Sequence, residues 1–369
     1  MTNGKPPFRA DHVGSLLRPP VLREARAARL AGQKDDEAVR EVEDRCIVDA
    51  IREQKNVGLK AVTDGEYRRA FWHFDFLAKL GGVEMYEADQ GIQFQGGQTK
   101  SYGLKVTSKL RYEPHPFVQD FAYVAAHADG AVAKQTIPSP SVLHFRGGRR
   151  AVDAAVYPEM DAFFADLAGA YNGAMKAFAA AGCRYLQLDE VNIAYLCDPN
   201  QVAMLKARGD DTDNLLNRYA DIINGTIEGR PSDMFVSMHL CRGNFQSMHI
   251  AAGGYDPVAE VLFNGINVDA YFMEYDDERS GSFAPLRFLP KGKTVVLGLV
   301  TSKRGELETK DELKRRIEEA AKHCPIEQLA LSPQCGFAST EEGNLLTVEQ
   351  QWAKLRLCVD VAREVWGEV

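Results

Sequence analysis

The sequence predicts an α/β protein with a (β/α)8 TIM barrel and an inserted hairpin or lid segment after the second strand. Eight short runs rich in β-branched and aromatic residues alternate with longer segments in which apolar residues recur at helical spacing. Strands that alternate with helices pair in parallel through right-handed crossovers, and eight such units favour a closed barrel over an open sheet. Because a single barrel with insertions reaches this length, we expect residues 1–369 to form one domain.

The predicted strands are short and are distributed over the whole chain. They are residues 12–14, 60–64, 132–137, 184–189, 234–239, 268–274, 294–300 and 328–332. The clearest predicted helix has an apolar stripe that runs from Met160 to Phe178. Further helices are predicted at about 311–322 and 347–366, and the second of these begins with a capping box at Thr347.

The segment from about residue 71 to residue 130 interrupts this alternation. It is rich in Gly, Gln and aromatic residues, and its Gln93–Tyr112 portion alternates as a β-hairpin does. We interpret the segment as an insertion over one end of the barrel, where long loops commonly build a substrate lid. At its start, Trp72, His73 and Phe74 either line the pocket or pack in the core, and core packing is the default for aromatic side chains.

Composition and charge exclude several classes of function. Hydrophobic residues make up 45% of the chain and charged residues 26%, as in soluble globular proteins. The chain has no apolar run of membrane-spanning length and no apolar stretch at its start, so we expect a cytoplasmic protein. With 44 basic and 52 acidic residues, the charge argues against a broad surface for nucleic acid or acidic membrane, and we expect small-molecule substrates. We also expect a monomer or homodimer. The seven scattered cysteines argue against a disulfide framework.

Polar side chains cluster where the predicted strands end. In a (β/α)8 barrel the reactive groups lie at the carboxyl ends of the strands, because the loops there can vary without disturbing the packed interior. A closed barrel would gather these residues within one mouth. The polar residues at the strand ends are Ser15, Asp64, Glu66, Asp189, Glu190, His239, Cys241, Glu274 and Cys335.

Four residues of this set suit a tetrahedral zinc ion. The imidazole of His239, the thiolates of Cys241 and Cys335 and the carboxylate of Glu274 form a mixed donor set that Zn²⁺ accepts. The alternatives are a chance pair at a strand end and, for Cys335, a small buried hydrophobic residue. With two thiolates and a carboxylate, the site would be a poor activator of water but well suited to hold a substrate thiol as a nucleophilic thiolate. The ligand chemistry therefore points to alkyl transfer onto sulfur.

These residues lie in stretches that resemble the C-terminal catalytic half of cobalamin-independent methionine synthase, and specifically its short single-barrel relatives. The matching stretches are His12-Val-Gly-Ser-Leu-Leu-Arg-Pro, Asp64-Gly-Glu, Gln187-Leu-Asp-Glu, His239-Leu-Cys, Glu274 and Pro333-Gln-Cys-Gly. The resemblance implies that the four residues named above bind one catalytic Zn²⁺ per chain. It also implies that Ser15, Glu66 and Asp189 hold homocysteine. Two carboxylates suit its ammonium group, and a hydroxyl beside backbone N–H groups suits its carboxylate.

The chain departs from that family in the half of the site that would hold the methyl donor. Where the methionine synthases have a tryptophan that stacks on the pterin of folate, this chain has His144. Where they have a histidine thought to protonate the pterin nitrogen, it has Thr301. We expect His144 to contact the donor and Glu190 to join Glu66 and Asp189 in substrate binding.

Three further features leave alternatives open. His12 adjoins the predicted site and is either a hydrogen-bonded structural histidine or a catalytic group that acts with Glu66 and Asp189. The turn at 146–150 either meets an acidic folate tail or is simply exposed. The loop at 275–279 is either solvated surface with an ion pair or part of the site.

The sequence therefore predicts a zinc-dependent methyltransferase that moves a methyl group from 5-methyltetrahydrofolate, or its polyglutamate, to the thiol of homocysteine and gives methionine. The alternative within the same chemistry is a thiol alkyltransferase that uses methylcobalamin, an epoxide with coenzyme M, or another thiol. A zinc hydrolase would need a ligand set richer in His and Asp than this sequence offers. A non-catalytic metal sensor does not explain why amino-acid-binding carboxylates converge on the same mouth.

Overall fold

The computed structural model describes residues 5–88 and 102–369 and, between them, the backbone of residues 93–94 and 97–98. Its strands include seven of the eight predicted barrel strands and the strands of an inserted hairpin. They are β1 (Ala61–Val62), β2 (Gly81–Glu87), β3 (Gln93–Phe94), β4 (Gly97–Gln98), β5 (Tyr102–Arg111), β6 (Val132–Ala133), β7 (Gln135–Pro138), β8 (Tyr185–Glu190), β9 (Phe235–Leu240), β10 (Ala270–Glu274), β11 (Thr294–Val300) and β12 (Leu329–Pro333). The predicted strand at 12–14 is not formed, and its place is taken by an isolated bridge at Ala10. In the described part of the chain, strands β7 to β12 form one parallel sheet in the order β12-β11-β10-β9-β8-β7.

The sheet closes into a barrel through the short segment around residue 10 and through β1. Ala10 bridges in parallel to Leu331 of β12, and the amide of Asp11 donates to the Leu331 carbonyl at 3.0 Å. On the other side, the hydroxyl of Thr63, just after β1, donates to the Gly14 carbonyl at 2.7 Å. β1 in turn pairs in parallel with β6, which is separated from β7 by one residue. The predicted (β/α)8 barrel is thereby confirmed.

Helices surround the barrel and follow the predicted periodicity. They are α1 (Pro20–Leu30), α2 (Asp36–Asn56), α3 (Phe74–Leu77), α4 (Pro116–His127), α5 (Ser141–Phe145), α6 (Met160–Ala180), α7 (Asn192–Tyr195), α8 (Pro199–Arg208), α9 (Thr212–Ile227), α10 (Lys310–Ala320) and α11 (Val348–Trp366). Phe163, Leu167 and Phe178 in the stripe of α6 are buried because they face the sheet. Thr347 and Gln350 form the predicted capping box at the start of α11.

The insertion after the second barrel strand contains an antiparallel hairpin. β2 pairs with β5, with Val83 opposite Val106, and β3 pairs with β4. The first strand of the hairpin, β2, starts with two glycines and pairs with β5. The hairpin therefore begins at Gly81 rather than at Gln93. Part of the predicted 93–112 portion lies outside the described residues. α4 packs against α2 and α6 as a barrel helix does, so the departure from the barrel pattern ends near residue 115 rather than 130.

The barrel interior holds a buried ion pair as well as apolar side chains. Nζ of Lys134 lies 3.3 Å from Oδ1 of Asp11, and both side chains are completely buried. Lys134 also donates to the His12 carbonyl at 2.6 Å, and the Tyr185 hydroxyl donates to Asp11 at 2.8 Å. These contacts satisfy the buried charges, as a low-dielectric interior requires. Across the described residues, every helix is too short or too polar to cross a membrane.

A candidate metal and substrate site at the mouth of the barrel

Four potential metal ligands converge at the carboxyl ends of β9, β10 and β12. His239 lies in β9 and Cys241 directly follows it, Glu274 is the last residue of β10, and Cys335 follows β12 by two residues. One ligand atom from each lies within 4.8 Å of the other three, and all four residues are buried. The two sulfur atoms are 3.5 Å apart. Sulfur atoms around a tetrahedral zinc ion are separated by about 3.8 Å when each Zn–S bond is about 2.3 Å, so the arrangement fits such an ion.

The imidazole of His239 is oriented for metal binding. Nδ1 lies 3.3 Å from the carbonyl oxygen of Phe272, and Nε2 has no hydrogen-bond partner among the described residues. A metal-bound histidine typically uses one ring nitrogen for the metal and the other for a backbone carbonyl or carboxylate, which fixes its tautomer and orientation. An unsatisfied buried nitrogen next to two thiols therefore fits a metal-binding role.

The cysteine pair is suited to carry negative charge. The pKa of Cys335 lies well below the ordinary value, because Cys241 donates a hydrogen bond to it and His239 lies close to it. The pKa of Cys241 is raised well above the ordinary value by the same hydrogen bond and by burial. The opposite shifts favour one thiol and one thiolate in this pair, and a divalent cation would stabilise the second thiolate.

Glu274 is held as a buried carboxylate by two donors. Oε1 accepts a hydrogen bond from the amide of Arg242 at 3.0 Å, and Oε2 lies 3.2 Å from Nη2 of Arg279. Burial raises the pKa of this carboxyl, but the charges of Lys303, Arg279 and His239 outweigh that effect and lower it. The loop at 275–279 therefore takes part in the site, through Arg279.

Two carboxylates form the other side of the same cavity. Oε1 of Glu66 accepts from the Thr136 hydroxyl at 2.9 Å and lies 3.3 Å from Arg69, whereas Oε2 has no partner among the described residues. Oδ1 of Asp189 accepts from the Gln187 amide at 2.7 Å. Burial and then the nearby charge of Glu66 raise the pKa of Asp189 to about 7. Adjacent buried carboxylates with an unpaired oxygen suit a cationic group such as an ammonium.

Tight backbone turns position the substrate side of the cavity. Glu66 has a left-handed backbone with φ of 61°, and its amide donates to Oδ1 of Asp64 at 2.8 Å. The buried guanidinium of Arg18 donates to the Glu66 carbonyl at 2.8 Å, which holds this strained turn in place. Gly336 approaches so closely that a Cβ there would lie 2.0 Å from Oγ of Ser15. These contacts place Ser15 and Glu66 in the cavity wall.

The cavity brings together most of the predicted site residues. The predicted residues among its lining are Ser15, Glu66, Asp189, His239, Cys241 and Cys335. Sequence reasoning missed two residues that line the cavity, Asn244 and Tyr195. The side-chain amide of Asn244 donates to the Gly336 carbonyl at 2.7 Å. Asn244 follows Cys241 by three residues, so its position beyond a strand end was the available signal. Trp72 and His73, which the sequence left open, also line the cavity.

Three predicted residues lie elsewhere. His144 does not line the cavity: Nδ1 is 2.9 Å from the Tyr219 hydroxyl, and its ring packs on Phe164 between helices. Glu190 accepts hydrogen bonds from the amides at the start of α7 and from the Ser141 hydroxyl, so it positions loops. His12 lies beside Lys134 and Asp11, and burial, followed by the charge of Lys134, lowers its pKa to about 4. We therefore do not assign substrate contacts to His144 or Glu190, or catalysis to His12.

The position of Thr301 is also informative. Its amide donates to Glu308 at 2.8 Å, and it is absent from the described lining of the cavity. Two residues further on, Nζ of Lys303 is buried without a partner among the described residues, and its charge lowers the pKa of Glu274. Lys303 therefore acts electrostatically on the carboxylate of Glu274.

Comparison with known proteins agrees with this arrangement. The family model of the cobalamin-independent synthase catalytic domain matches residues 8–364. The uncharacterized protein YxjH of Bacillus subtilis strain 168 is 50% identical over 363 residues, which cover 98% of this chain and 96% of that protein. A methionine synthase of Pyrococcus abyssi is 25% identical over 327 residues, which cover 88% of this chain and 85% of that protein.

A solved structure shows the same architecture. It is that of a candidate vitamin-B12-independent methionine synthase from Listeria monocytogenes, with 40% sequence identity and a TM-score of 0.80. The similarity covers 99% of this chain and 99% of that one. The chain therefore belongs to the family of the cobalamin-independent synthase catalytic domain, that of the methionine-synthase-like methyltransferases.

Proposed function

We propose that the protein is a zinc-dependent methyltransferase that transfers the methyl group of 5-methyltetrahydrofolate, or its polyglutamate, to the thiol of homocysteine and forms methionine. The observation that carries this proposal is the junction of two sets of groups in one cavity. A cluster of His, Glu and two Cys ligands lies beside two buried carboxylates that suit an ammonium group. A thiol and an ammonium on one small molecule would engage both sets.

Different residues of the chain would bind the ammonium group and the carboxylate of this acceptor. Glu66 and Asp189 would hold the ammonium group, because both line the cavity and Oε2 of Glu66 has no hydrogen-bond partner among the described residues. The hydroxyl of Ser15 would contact the carboxylate of the acceptor. Holding both ends fixes the direction in which the sulfur points, so that the reacting atoms meet with little further loss of entropy.

The four clustered side chains would hold the metal. When bound, zinc would supply the charge that keeps the acceptor thiol ionised at neutral pH. In the reaction, a carbon–sulfur bond forms while the bond between the methyl carbon and N5 of the donor breaks. The proton lost by the thiol is balanced by a proton taken up at N5. Most side chains in the cavity wall are buried, and a reduced number of waters around the thiolate would make it a stronger nucleophile.

Several broader features are part of the same proposal. We propose one (β/α)8 domain, a cytoplasmic location and a monomer or homodimer with small-molecule substrates. The free state of all seven cysteines is in keeping with a reducing compartment.

A metal-exchange experiment tests the proposed function. Purified protein is expected to contain about one zinc per chain and to form methionine from L-homocysteine and 5-methyltetrahydrofolate. Treatment with a chelator should abolish methionine formation, and zinc, but not magnesium, should restore it because magnesium disfavours thiolate ligands. Undiminished methionine formation by protein shown to be free of metal would overturn the proposal.

A further inference from the structure

Two buried cationic groups beside the metal-ligand cluster form no hydrogen bond or salt bridge with a described residue. Lys303 lies three residues beyond the end of β11, and Arg242 lies two residues beyond the end of β9. Nζ of Lys303 and the three guanidinium nitrogens of Arg242 are buried and have no hydrogen-bond partner in the described part of the chain. Buried charges in proteins are nearly always paired, so two unpaired cations indicate that an anion binds nearby.

The two cations flank Glu274. β10, which ends at Glu274, lies between β9 and β11 in the sheet. The amide of Arg242 donates to the carboxylate of Glu274, and Cζ of Arg242 lies 4.2 Å from the centre of the Tyr255 ring. The Tyr255 hydroxyl accepts a hydrogen bond from the amide of Glu274 at 3.1 Å. Arg242 is thereby connected to one of the four clustered ligands.

Lys303 acts on two of the four clustered ligands. Burial raises the pKa of Glu274, and the charge of Lys303 is the largest of the effects that lower it. The hydrogen bond with Cys335 and burial raise the pKa of Cys241, and the charge of Lys303 opposes them. The ammonium group of Lys303 is therefore close enough to stabilise negative charge on the cluster.

Glu274 does not need these two cations as partners. Its Oε2 already forms an ion pair with Arg279 at 3.2 Å. Arg279 also pairs with Asp276 at 2.8 Å, so its charge is compensated. Lys303 and Arg242 have no such carboxylate and remain as excess positive charge next to the cluster.

The formal charges of the site identify the missing anion. Two thiolates and one carboxylate around a divalent cation leave one net negative charge, and an acceptor thiolate would raise this to two. Lys303 and Arg242 supply two positive charges. The balance is the same whether Glu274 stays on the metal or moves aside, because its charge remains in the site in either case.

We propose, on the basis of the proposed function, that Lys303 and Arg242 are positioning residues that offset the charge of the acceptor thiolate and make the site select an ionised thiol over an uncharged sulfur. Neither side chain belongs to the described lining of the cavity, so both act at a distance through their charge. Such an attraction is strong where little water screens it. The thioether product has no charge on sulfur, lacks this attraction and dissociates more readily than the acceptor.

Isothermal titration calorimetry on the zinc holoenzyme, without a methyl donor, tests this proposal. The probes are L-homocysteine and L-methionine, which differ by one methyl group on sulfur. Lys303→Met and Arg242→Met should each weaken homocysteine binding about tenfold by loss of a nearby charge, and should change methionine binding by less than about twofold. Lys303→Arg should keep the wild-type preference for homocysteine. Every variant should retain about one zinc ion per chain.

Two cations at the opposite end of the barrel provide matched controls. Lys293 directly precedes β11, and its Nζ donates to the Phe263 carbonyl at 2.9 Å. Arg9 donates to the Leu329 carbonyl at 2.7 Å, at the start of β12. Lys293→Met and Arg9→Met remove the same kinds of charge away from the cluster, so the preference for homocysteine over methionine should stay unchanged.

Equal weakening of both amino acids would show that Lys303 and Arg242 only support the fold, and would overturn the proposal. Loss of zinc from the methionine variants, or wild-type affinity for homocysteine in them, would also overturn it. 2-Mercaptoethanol, a thiol without ammonium or carboxylate, separates this proposal from the proposed function. If Lys303→Met weakens binding of 2-mercaptoethanol about tenfold in a protein that does not bind homocysteine, only the proposed function is contradicted.

Discussion

The sulfur atoms of Cys241 and Cys335 lie 3.5 Å apart although 94 positions separate the two residues in the chain. The contact exists because β9 and β12 end at the same rim of the barrel, where the chain places its reactive side chains. The Nε2 atom of His239 faces the same point without a partner among the described residues. The first prediction follows from this geometry.

Replacing Cys335 by serine should reduce bound zinc from about one ion per chain to a small fraction, and methionine formation should fall in parallel. A serine hydroxyl is not deprotonated at neutral pH and is a much weaker zinc ligand than a thiolate. Cys324→Ser is the matched control, since Cys324 is buried outside the cluster. Metal content is measured by mass spectrometry of the purified protein. Full zinc occupancy in Cys335→Ser would contradict the assignment of this ligand.

Glu66→Gln and Asp189→Asn should each raise KM for homocysteine by about 10- to 100-fold, which corresponds to loss of a charge-assisted hydrogen bond of about 1.5–3 kcal/mol. Zinc content should be unchanged. The informative comparison uses 4-mercaptobutyrate, which has the thiol and carboxylate but lacks the ammonium group. Wild type and variants should use this compound equally poorly. If a variant prefers homocysteine over 4-mercaptobutyrate by the same factor as wild type does, these carboxylates do not bind the ammonium group.

Gly336→Ala should impair acceptor binding, because the new Cβ would lie 2.0 Å from Oγ of Ser15 and force that hydroxyl to move. We expect KM for homocysteine to rise about tenfold by loss of one hydrogen bond to a charged group. Gly169→Ala in α6 is the control, since no atom beyond the adjoining helix backbone and neighbouring residues lies within 4 Å of its added Cβ. That substitution should leave KM unchanged and stabilise the helix by about 0.5–1 kcal/mol. Equal kinetics in both variants would contradict the close approach of Gly336 to Ser15.

His144→Gln should leave KM for the methyl donor unchanged, because His144 packs against Phe164 and Tyr219 outside the cavity. The same variant should alter the pH dependence of stability. Burial lowers the pKa of His144 to about 4, whereas in the unfolded chain it remains near 6.5. Between these two values the unfolded state binds more protons, so the free energy of unfolding decreases as the pH falls from 6.5 to 4, by about 1.4 kcal/mol per pH unit for this imidazole.

Urea unfolding at a series of pH values measures this effect. Wild type should lose stability from His12, His115 and His144, because burial lowers the pKa of each to about 4. His73 and His249 should add to this loss, since burial lowers their pKa values as well. Between pH 4 and 6.5, the free energy of unfolding of the variant should depend on pH less steeply than that of wild type, by the equivalent of about one proton. Above pH 6.5 the two proteins should show the same dependence on pH. A large rise in KM for the donor in His144→Gln would restore the expectation, derived from the sequence, that this residue contacts the donor.

The sequence was sufficient for the barrel and for the convergence of the four candidate metal ligands, because both depend on local patterns. Each strand is a short apolar run, and a ligand such as His239 or Glu274 can be identified by its position at the end of one. The direction of His144 depends instead on which side of α5 faces the barrel, and a five-residue helix is too short to reveal a hydrophobic face. The role of Glu190 as a partner of the α7 amides depends on a loop conformation that no local pattern specifies.

The hairpin could not be located precisely for a related reason. Its first strand contains the exposed residues Glu84, Met85 and Tyr86, which do not show the alternation expected of a half-buried strand. The pairing partner, β5, lies across an intervening segment, so register is set by contacts distant in sequence. Arg18 and Asn244 act through contacts between separate loops, which is why neither was identified as part of the site.

The position of Cys335 also determines when this centre can exist during synthesis of the protein. The other three ligands precede it by 61 or more positions, and β12 must join the segment around Ala10 before the ring of strands is complete. A ribosome that has not yet released nearly the entire chain therefore carries only an incomplete set of the proposed ligands. Capture of the proposed zinc ion would then be one of the last events in maturation, and a polypeptide shortened by premature termination before residue 335 would lack one of the four proposed ligands.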